Sequence, residues 1–537
     1  MCGINFYFSS KNEEELIKNH TLNNHRGPDN SQYKISNLFN KNVFLGFHRL
    51  SINDLSNNGN QPLNIKNYSN LYLICNGEIY NYKILEKKYG FKLQTGSDCE
   101  IILHLYNMKK EKLLNELDGV FSFIIYDNTY NEILVGHDPI GVRSLYMGTN
   151  NNSNEIGFSS EMKGLNNLYE NIINFNPGSY LKYKLGNNVY NVKQYYNLNY
   201  DKNIIMDKIN YDKIFILESI KLKLMNAVKK RLLSDRPIGC LLSGGLDSSL
   251  IAGILNLYFN EINKQLDTFS IGFENSPDIL QARKVAKYLN TNHHEIIITE
   301  KDMLDNLEKT IYHIESYDTT TIRASVPMYI LSKYIKENTN IKVLFSGEGS
   351  DEASGSYLYF KNAPNEEEFH NETLRLIYDL RYFDVLRCDK TTAGNGLEVR
   401  VPFLDKDFME YYMSIDPYYK IPKNNNNIEK WLLRQSFNNT NIIPNEIIWR
   451  QKEGFSDGVL TEKKSWNHIL KHILNKYTEK DFKKYKYNTP LSKEAFHFRE
   501  IYNKYYPNRD KLIPYYWMPK WSGNIKDPSA RVLKVYN

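Results

Sequence analysis

The chain has few cysteines and no long apolar run. The five cysteines, Cys2, Cys75, Cys99, Cys240 and Cys388, are odd in number and show no CxxC spacing, which argues against a disulfide framework or a zinc site and for a reducing compartment. No stretch of ~18 apolar residues is present and no signal-peptide pattern precedes the first motif, so neither a membrane span nor secretion is expected. No basic block stands out either: 68 Lys and Arg against 62 Asp and Glu leave a net charge of only +6, and nothing marks a nucleic-acid surface. The expectation is a soluble cytoplasmic protein. Composition leaves a homodimer open.

What is present is bulk and two kinds of pattern. The 537 residues are too many for one ordinary domain, and 41% are hydrophobic, enough for sizeable cores. Tyr (42) and Phe (25) carry much of that volume. Asn57-Asn58 and the run 424–427 read as surface loops. Residues 1–200 are β-rich. Leu71–Cys75, Val120–Tyr126 and Ile133–Gly136 are apolar runs bounded by Asn, Gly or Asp, and Leu71–Cys75 is expected to end at Asn76-Gly77. From residue 212 to 537 helical segments alternate with short apolar strands, the signature of a parallel α/β sheet.

Cys2 is the residue that gives the first region its chemistry. It follows the initiator methionine and precedes Gly3, and a methionine before so small a side chain is expected to be trimmed. A cysteine at a free N-terminus carries both a thiol and an amine titrating near pH ~8, a nucleophile with its own base. Polar clusters accompany it: His25–Asp29, His48–Ile52, Asn76–Asn81 and Gly96–Asp98. Arg49 could fork onto an α-carboxylate. Glu78 and Asp98 could take an α-ammonium. Asn76 and Gly77 could supply donors to an oxyanion.

With these motifs in place (MCGI, HRGPD, HRLSI, NGEIYN, TGSD), the first region resembles the class II, N-terminal-nucleophile (Ntn) glutamine amidotransferases. The resemblance implies a four-layered αββα Ntn-type sandwich and hydrolysis of glutamine to glutamate and ammonia. It implies Cys2 as nucleophile, Asn76 and Gly77 as oxyanion donors, and glutamine contacts at Arg49, Leu50, Ile52, Asn76, Glu78 and Asp98. Two departures, His137 in His137–Gly141 and Ser144, fall away from the nucleophile motif.

In the second region Ile238–Leu242 reads as a buried strand, followed at once by Ser243–Ser249 (SGGLDSS) and a helix. Strand, glycine turn and helix is a phosphate cradle. It is not the GxxxxGK[ST] loop. It resembles the pyrophosphate loop of N-type ATP pyrophosphatases, which cleave ATP between the α and β phosphates. Further strands are expected at Thr268–Gly272, Glu295–Ile298 and Lys342–Phe345, with a helix over 278–289. Strand ends in such a sheet line the ligand pocket. The expected ATP contacts are Leu242, Ser243, Gly244, Gly245, Asp247, Ser248, Ile271, Ser346 and Gly347. Asp247 and Asp351 are hard oxygen ligands suited to Mg²⁺ carried with ATP, and Lys452 can neutralise phosphate charge.

A glutaminase region followed by this ATP-cleaving region is similar to the glutamine-hydrolysing, B-type asparagine synthetases over nearly the whole chain. Tyr317–Ser325, SGEGSDE at 346–352, Gly396–Asp405, Arg450–Glu453 and Asp527–Arg531 carry the likeness. Gly355-Ser356-Tyr357 departs from it slightly. The resemblance implies Glu348 in forming β-aspartyl-AMP, and Thr320, Thr321, Arg323 and Asp351 at the aspartate and intermediate site. A β-lactam-synthetase-like acceptor and an inactive regulatory protein are the competing readings. The intact Cys2 speaks against the first, and Cys2, SGGLDSS, Glu348 and Lys452 together speak against the second.

Overall fold

A computed structural model describes every residue except 152, 198–212, 462–465 and 534–537. The expected boundary between 200 and 212 lies outside the described residues. The chain divides into two compact units, one of residues 1–197 with 233–236 and 392–398, the other of the remaining described residues.

The first unit contains β1 (Gly3–Ser9), β2 (Asn30–Leu38), β3 (Lys41–Arg49), β4 (Leu71–Ile79), β5 (Gly119–Asp127), β6 (Glu132–His137), β7 (Tyr146–Thr149), β8 (Ile156–Ser159), β9 (Asn171–Asn174), β10 (Ser179–Lys184) and β11 (Val192–Gln194). They form a six-stranded sheet, β2-β3-β1-β8-β7-β9, and a five-stranded sheet, β11-β10-β6-β5-β4. The pairings are antiparallel. Alternate residues on each strand point to opposite faces. Ile4, Phe6, Phe8, Val43, Leu45 and Phe47 from the first sheet therefore meet Ile74, Ile124, Val135 and Leu181 from the second in one core. The second sheet's other face, through Leu73, Cys75, Phe121, Phe123 and Ile125, packs on helix residues Leu85, Ile101, Ile102 and Leu105. Those belong to α2 (Tyr82–Tyr89) and α3 (Ile101–Lys109). Helix α1 (Glu13–Thr21) covers the first sheet at β3, capped by Asn12 with Glu13, Glu14 and Glu15 in its first turn. The result is the expected four layers, helix, sheet, sheet, helix.

In this unit the largest boundary difference from the sequence reading is at β4. Strand β4 does not stop at Asn76-Gly77 but runs on to Ile79. Gly77 is there because of packing rather than a turn: a Cβ would stand 2.5 Å from the Val120 carbonyl and 2.7 Å from the Phe121 Cα on β5.

The second unit carries α4 (Lys213–Lys230), β12 (Ile238–Leu241), α5 (Leu246–Glu261), β13 (Asp267–Gly272), α6 (Pro277–Leu289), β14 (Asn292–Ile297), α7 (Glu300–Ile314), α8 (Thr319–Asn338), β15 (Val343–Phe345), α9 (Ser350–Ser354), α10 (Glu366–Asp379) and α11 (Asp384–Ala393). With β16 (Glu398–Arg400) its strands order as β14-β13-β12-β15-β16. β12 lies parallel to both β13 and β15, and β13 to β14. The chain starts at β12, moves outward to β13 and β14, then returns to the other side of β12 as β15. That reversal is a topological switch point, where the carboxyl ends of two neighbouring strands open a crevice. The turns leaving β12 and β15 are SGGLDSS and SGEGSDE.

Candidate active site

In the first unit Cys2 sits just before β1, half-buried, its Sγ donating to the Leu50 carbonyl at 3.6 Å. Arg26 Nε holds the Cys2 carbonyl at 2.9 Å. Burial pushes the thiol up to about 11, opposed by the terminal amine, and the charges of Glu398 and Glu78 add to the rise. The amine is here that of Met1, which burial lowers to about 6. An amine so poised is largely neutral at physiological pH and can accept a proton.

Asn76 is fully buried on β4, and neither its Oδ1 nor its Nδ2 has a partner among the described residues. An orphan amide in a core is costly unless a ligand completes it. Glu78 and Asp98 are brought together by a residue the sequence reading missed. Asn53 donates to Glu78 Oε2 and, at 3.4 Å, to Asp98 Oδ1. Asp98 also accepts the Ile79 N–H at 2.6 Å, and burial pushes its carboxyl up to about 6. The signal was four residues past Arg49, in the polar Asn53-Asp54 that closes the HRLSI segment.

Arg49 is not an open fork. Its guanidinium donates to the Ser56 carbonyl at 2.6 Å, to Asn60 Oδ1 at 2.8 Å, and to the Asp54 carbonyl. It holds the 53–60 loop beside the two carboxylates. Leu50 and Ile52 are buried, and the Ile52 carbonyl accepts from the Asp235 N–H at 3.0 Å.

In the second unit one cavity lies over the switch point. It is lined by Leu242, Ser243, Gly245, Asp247, Ser248, Ile271, Ser346 and Gly347, together with Glu348, Asp351, Thr320 and Lys452. Gly244 is the expected contact that does not line it. Its φ is +72°, and a Cβ there would stand 2.4 Å from the Gln281 and Ala282 backbone of α6, so it shapes the turn from behind. Ser243 Oγ and Ser248 Oγ close the loop at 3.0 Å, and α5 begins at Leu246, its N-terminus presenting backbone N–H groups to the cavity.

Charges in the cavity form a chain. Lys430 is paired with Asp247 and lies 2.6 Å from Asp351 Oδ1; Lys452 lies 2.5 Å from Asp351 Oδ2; Ser350 Oγ donates to Asp247 at 2.7 Å. Burial alone would raise the Asp351 carboxyl, but Lys430 and Lys452 hold it well below the usual range. Burial alone would lower the Lys452 ammonium, but Asp351 and Asp247 keep it above its ordinary value. Lys430 was not singled out in the sequence. It takes a left-handed φ of +56° as the residue before helix Trp431–Phe437, a strained conformation for a lysine of a kind that clusters at functional sites.

Glu348 pairs with Arg387 at 2.8 Å, and Arg387 also binds Asp384 at 2.8 Å. Burial raises the Glu348 carboxyl against the pull of Arg387. Thr320 lines the cavity with Oγ1 unpartnered among the described residues. Thr321 and Arg323, expected beside it, do not line the cavity. Thr321 is turned to Asp318, which accepts its N–H and Oγ1, both at 2.8 Å, as the cap of α8. Arg323 is saturated by Glu494 at 2.6 and 3.0 Å and by Asp527 at 2.7 and 3.1 Å.

Among the described residues no cluster of three or more His, Cys, Asp or Glu side chains could hold a metal. Asp247 and Asp351 nonetheless both face the Lys430 ammonium. Two carboxylates with phosphate oxygens and water suit Mg²⁺, which seldom takes an all-protein cage. The donor set fits.

An antiparallel αββα unit built around an N-terminal Cys-Gly, and a parallel unit with a glycine turn and paired carboxylates at its switch point, together define a glutamine amidotransferase joined to an ATP-pyrophosphatase-type synthetase. Comparison with known proteins narrows the class. Residues 1–185 match the glutamine amidotransferase domain, and residues 219–368 and 361–524 match asparagine synthase. The chain is 44% identical over 564 residues to the glutamine-hydrolysing asparagine synthetase of Gallus gallus and 42% identical over 569 to that of Homo sapiens, in each case across 100% of this chain and 99% of the relative. The chain belongs to the glutamine-hydrolysing asparagine synthetase family.

Proposed function

We propose that the chain makes L-asparagine from aspartate, ATP and glutamine. The observation that carries this reading is the single cavity into which the SGGLDSS and SGEGSDE turns bring Asp247, Lys430, Asp351, Lys452 and Glu348. A glycine turn for phosphates, two buried ammonium groups for their charge and a carboxylate beside them suit cleavage of ATP at its α-phosphate.

At the first site, removal of Met1 leaves Cys2 with its own α-amine. That amine takes the Sγ proton, and the thiolate attacks the carboxamide carbon of glutamine. Asn76 and Gly77 meet the resulting oxyanion. The C–N bond breaks, ammonia leaves with the proton, and water hydrolyses the thioester to glutamate. Glu78 and Asp98 hold the substrate ammonium. Arg49 takes its carboxylate by exchanging a loop carbonyl, and Leu50 and Ile52 wall the pocket.

At the second site, an oxygen of aspartate's β-carboxylate attacks the α-phosphorus and pyrophosphate departs, leaving β-aspartyl-AMP. Lys430 and Lys452 hold the phosphates, and Glu348 with Arg387 acts beside the adenylating carboxylate. Thr320 completes the pocket. Ammonia then attacks the acyl carbon, loses a proton, and AMP leaves. Asp247 and Asp351 would hold Mg²⁺, which when bound supplies further positive charge to the polyphosphate. The free cysteines, Cys2 half-buried and the other four buried, suit a reducing cytoplasm.

The test is to measure asparagine, AMP and pyrophosphate from aspartate and MgATP with glutamine or with ammonium as nitrogen donor. Pyrophosphate release that ignores aspartate would end the reading.

A further inference from the structure

Asp278, the second residue of α6, has no part in the chemistry described so far. Its side chain lines the nucleotide cavity, it is only 5% exposed, and no described residue bonds its Oδ2. Two close approaches fix its place. Gln281 and Ala282, one turn on, back onto Gly244 of the glycine loop. Gly458, at the end of helix Phe455–Gly458, lies so near that a Cβ there would collide with Asp278 Oδ1. Asp278 thus stands between the phosphate loop and the segment that carries Lys452.

A buried carboxyl oxygen left without a partner inside a ligand cavity calls for a ligand. The charged groups that face it are Arg450, Lys452 and Glu453, which precede that helix, and Arg531 from the C-terminal segment. The cations are committed elsewhere. Arg450 donates to the Gly244 carbonyl at 3.1 Å and to Glu453 at 3.3 Å, Lys452 to Asp351 at 2.5 Å, and Arg531 to Glu453 at 2.6 Å. A carboxylate here would face an incoming polyphosphate as like charge against like. A carboxylic acid would face it as a hydrogen-bond donor.

We propose that Asp278 binds ATP as the neutral acid, its Oδ2–H donating to a phosphate oxygen. This rests on the ATP reading above and adds a residue and a proton to it. Burial pushes the carboxyl up to about 7 against the pull of Arg450, and the arriving phosphates push it further in the same direction. The proton comes from solvent when nucleotide binds and returns when the products leave. Nucleotide affinity must then fall as pH rises through neutrality, because above it each binding event has to take up a proton.

The test uses the full chain and the Mg²⁺ complex of α,β-methylene-ATP, which cannot be cleaved at the α-phosphate. Calorimetry in buffers of different ionisation heat reads affinity and proton uptake together. The wild type should lose up to about tenfold in affinity per pH unit above neutrality, with uptake approaching one proton. Asp278→Asn keeps an N–H donor at that position. It should bind as tightly as the wild type below neutrality, lose the pH dependence and take up no extra proton. Asp278→Ala should bind roughly 10- to 100-fold more weakly below neutrality. Equal proton uptake by wild type and Asp278→Asn would overturn the proposal while leaving the ATP reading intact. Absence of nucleotide binding at any pH would overturn both. Should the Asn variant fail to fold, absence of proton uptake by the wild type is by itself enough to overturn the proposal.

Discussion

Lys430→Met tests the ion chain at the synthetase site most directly. The substitution keeps a long apolar stem and deletes the ammonium that faces Asp247 and Asp351. The lysine side chain is 1% exposed and the two carboxylates 15% and 20%, so water repairs little of the loss. Removing one member of a buried pair strands the other charge and typically costs ~3–5 kcal/mol. Here Lys452 still compensates Asp351, so the lower end, about 3 kcal/mol, is expected. That corresponds to a fall in Tm on the order of 5–10 °C for a domain of this size. All five tryptophans lie between Trp431 and Trp521, in the second unit, so intrinsic fluorescence follows the unfolding of that unit. If Asp247 and Asp351 hold a divalent cation, Mg²⁺ alone should restore most of the lost Tm in the variant and raise the wild type less. Asp351 is a carboxyl held below its usual range. Its stabilisation is therefore present above pH ~3.9 and lost only in stronger acid, and the variant should lose it at a higher pH than the wild type. An unchanged Tm without Mg²⁺ would show that the ammonium does not bear on the two carboxylates.

Three further outcomes follow from the same geometry. Cys2→Ala should abolish glutamine-dependent asparagine formation and leave ammonium-dependent formation near wild type, read as product from each donor at equal MgATP; loss of both would contradict separate sites. Asn76→Ala should lower kcat for glutamine hydrolysis roughly 10²–10³-fold, as for a lost oxyanion donor, with Tm little changed because the amide has no partner among the described residues; a large fall in Tm would instead assign Asn76 to the scaffold. Asp98, pushed up to about 6 by burial, must be ionised to hold the glutamine ammonium. KM for glutamine should therefore rise as pH falls below about 6, and Asp98→Asn, with a KM raised at every pH, should remove that dependence. A wild-type KM flat through that range would exclude Asp98 from ammonium binding.

Much of this was legible in the sequence because the informative residues are local. A strand, a glycine turn and a helix are contiguous, so SGGLDSS could be placed at a strand end from its neighbours alone, and the structure puts it directly after β12. The N-terminal Cys-Gly and the short polar motifs around it are equally self-contained. Boundaries were less legible where a glycine serves packing. Asn76-Gly77 reads as a strand end by composition, yet β4 passes through it because β5 lies too close for any Cβ.

What could not be read is pairing between distant charges. Arg49 carries the right side chain to grip a carboxylate, but its donors are taken by carbonyls a few residues on, because the 53–60 loop folds back over it. Arg323 lies three residues from Thr320 in a motif of known resemblance. Residues three apart lie on one side of a helix, but the surrounding tertiary structure decides which neighbour each side chain meets. Glu494 and Asp527, more than 170 positions away, claim Arg323, while Thr320 keeps the cavity. Lys430 is the converse. Nothing in its local sequence distinguishes it from other lysines at a helix start, and its partner Asp247 lies 183 positions earlier. Only the switch between β12 and β15 brings the two acidic turns side by side and leaves a negative pocket for a buried ammonium to fill. Such a residue follows from topology. A sequence shows that two acidic turns leave strands of one parallel sheet, and a cation between them should be sought wherever those strands are neighbours.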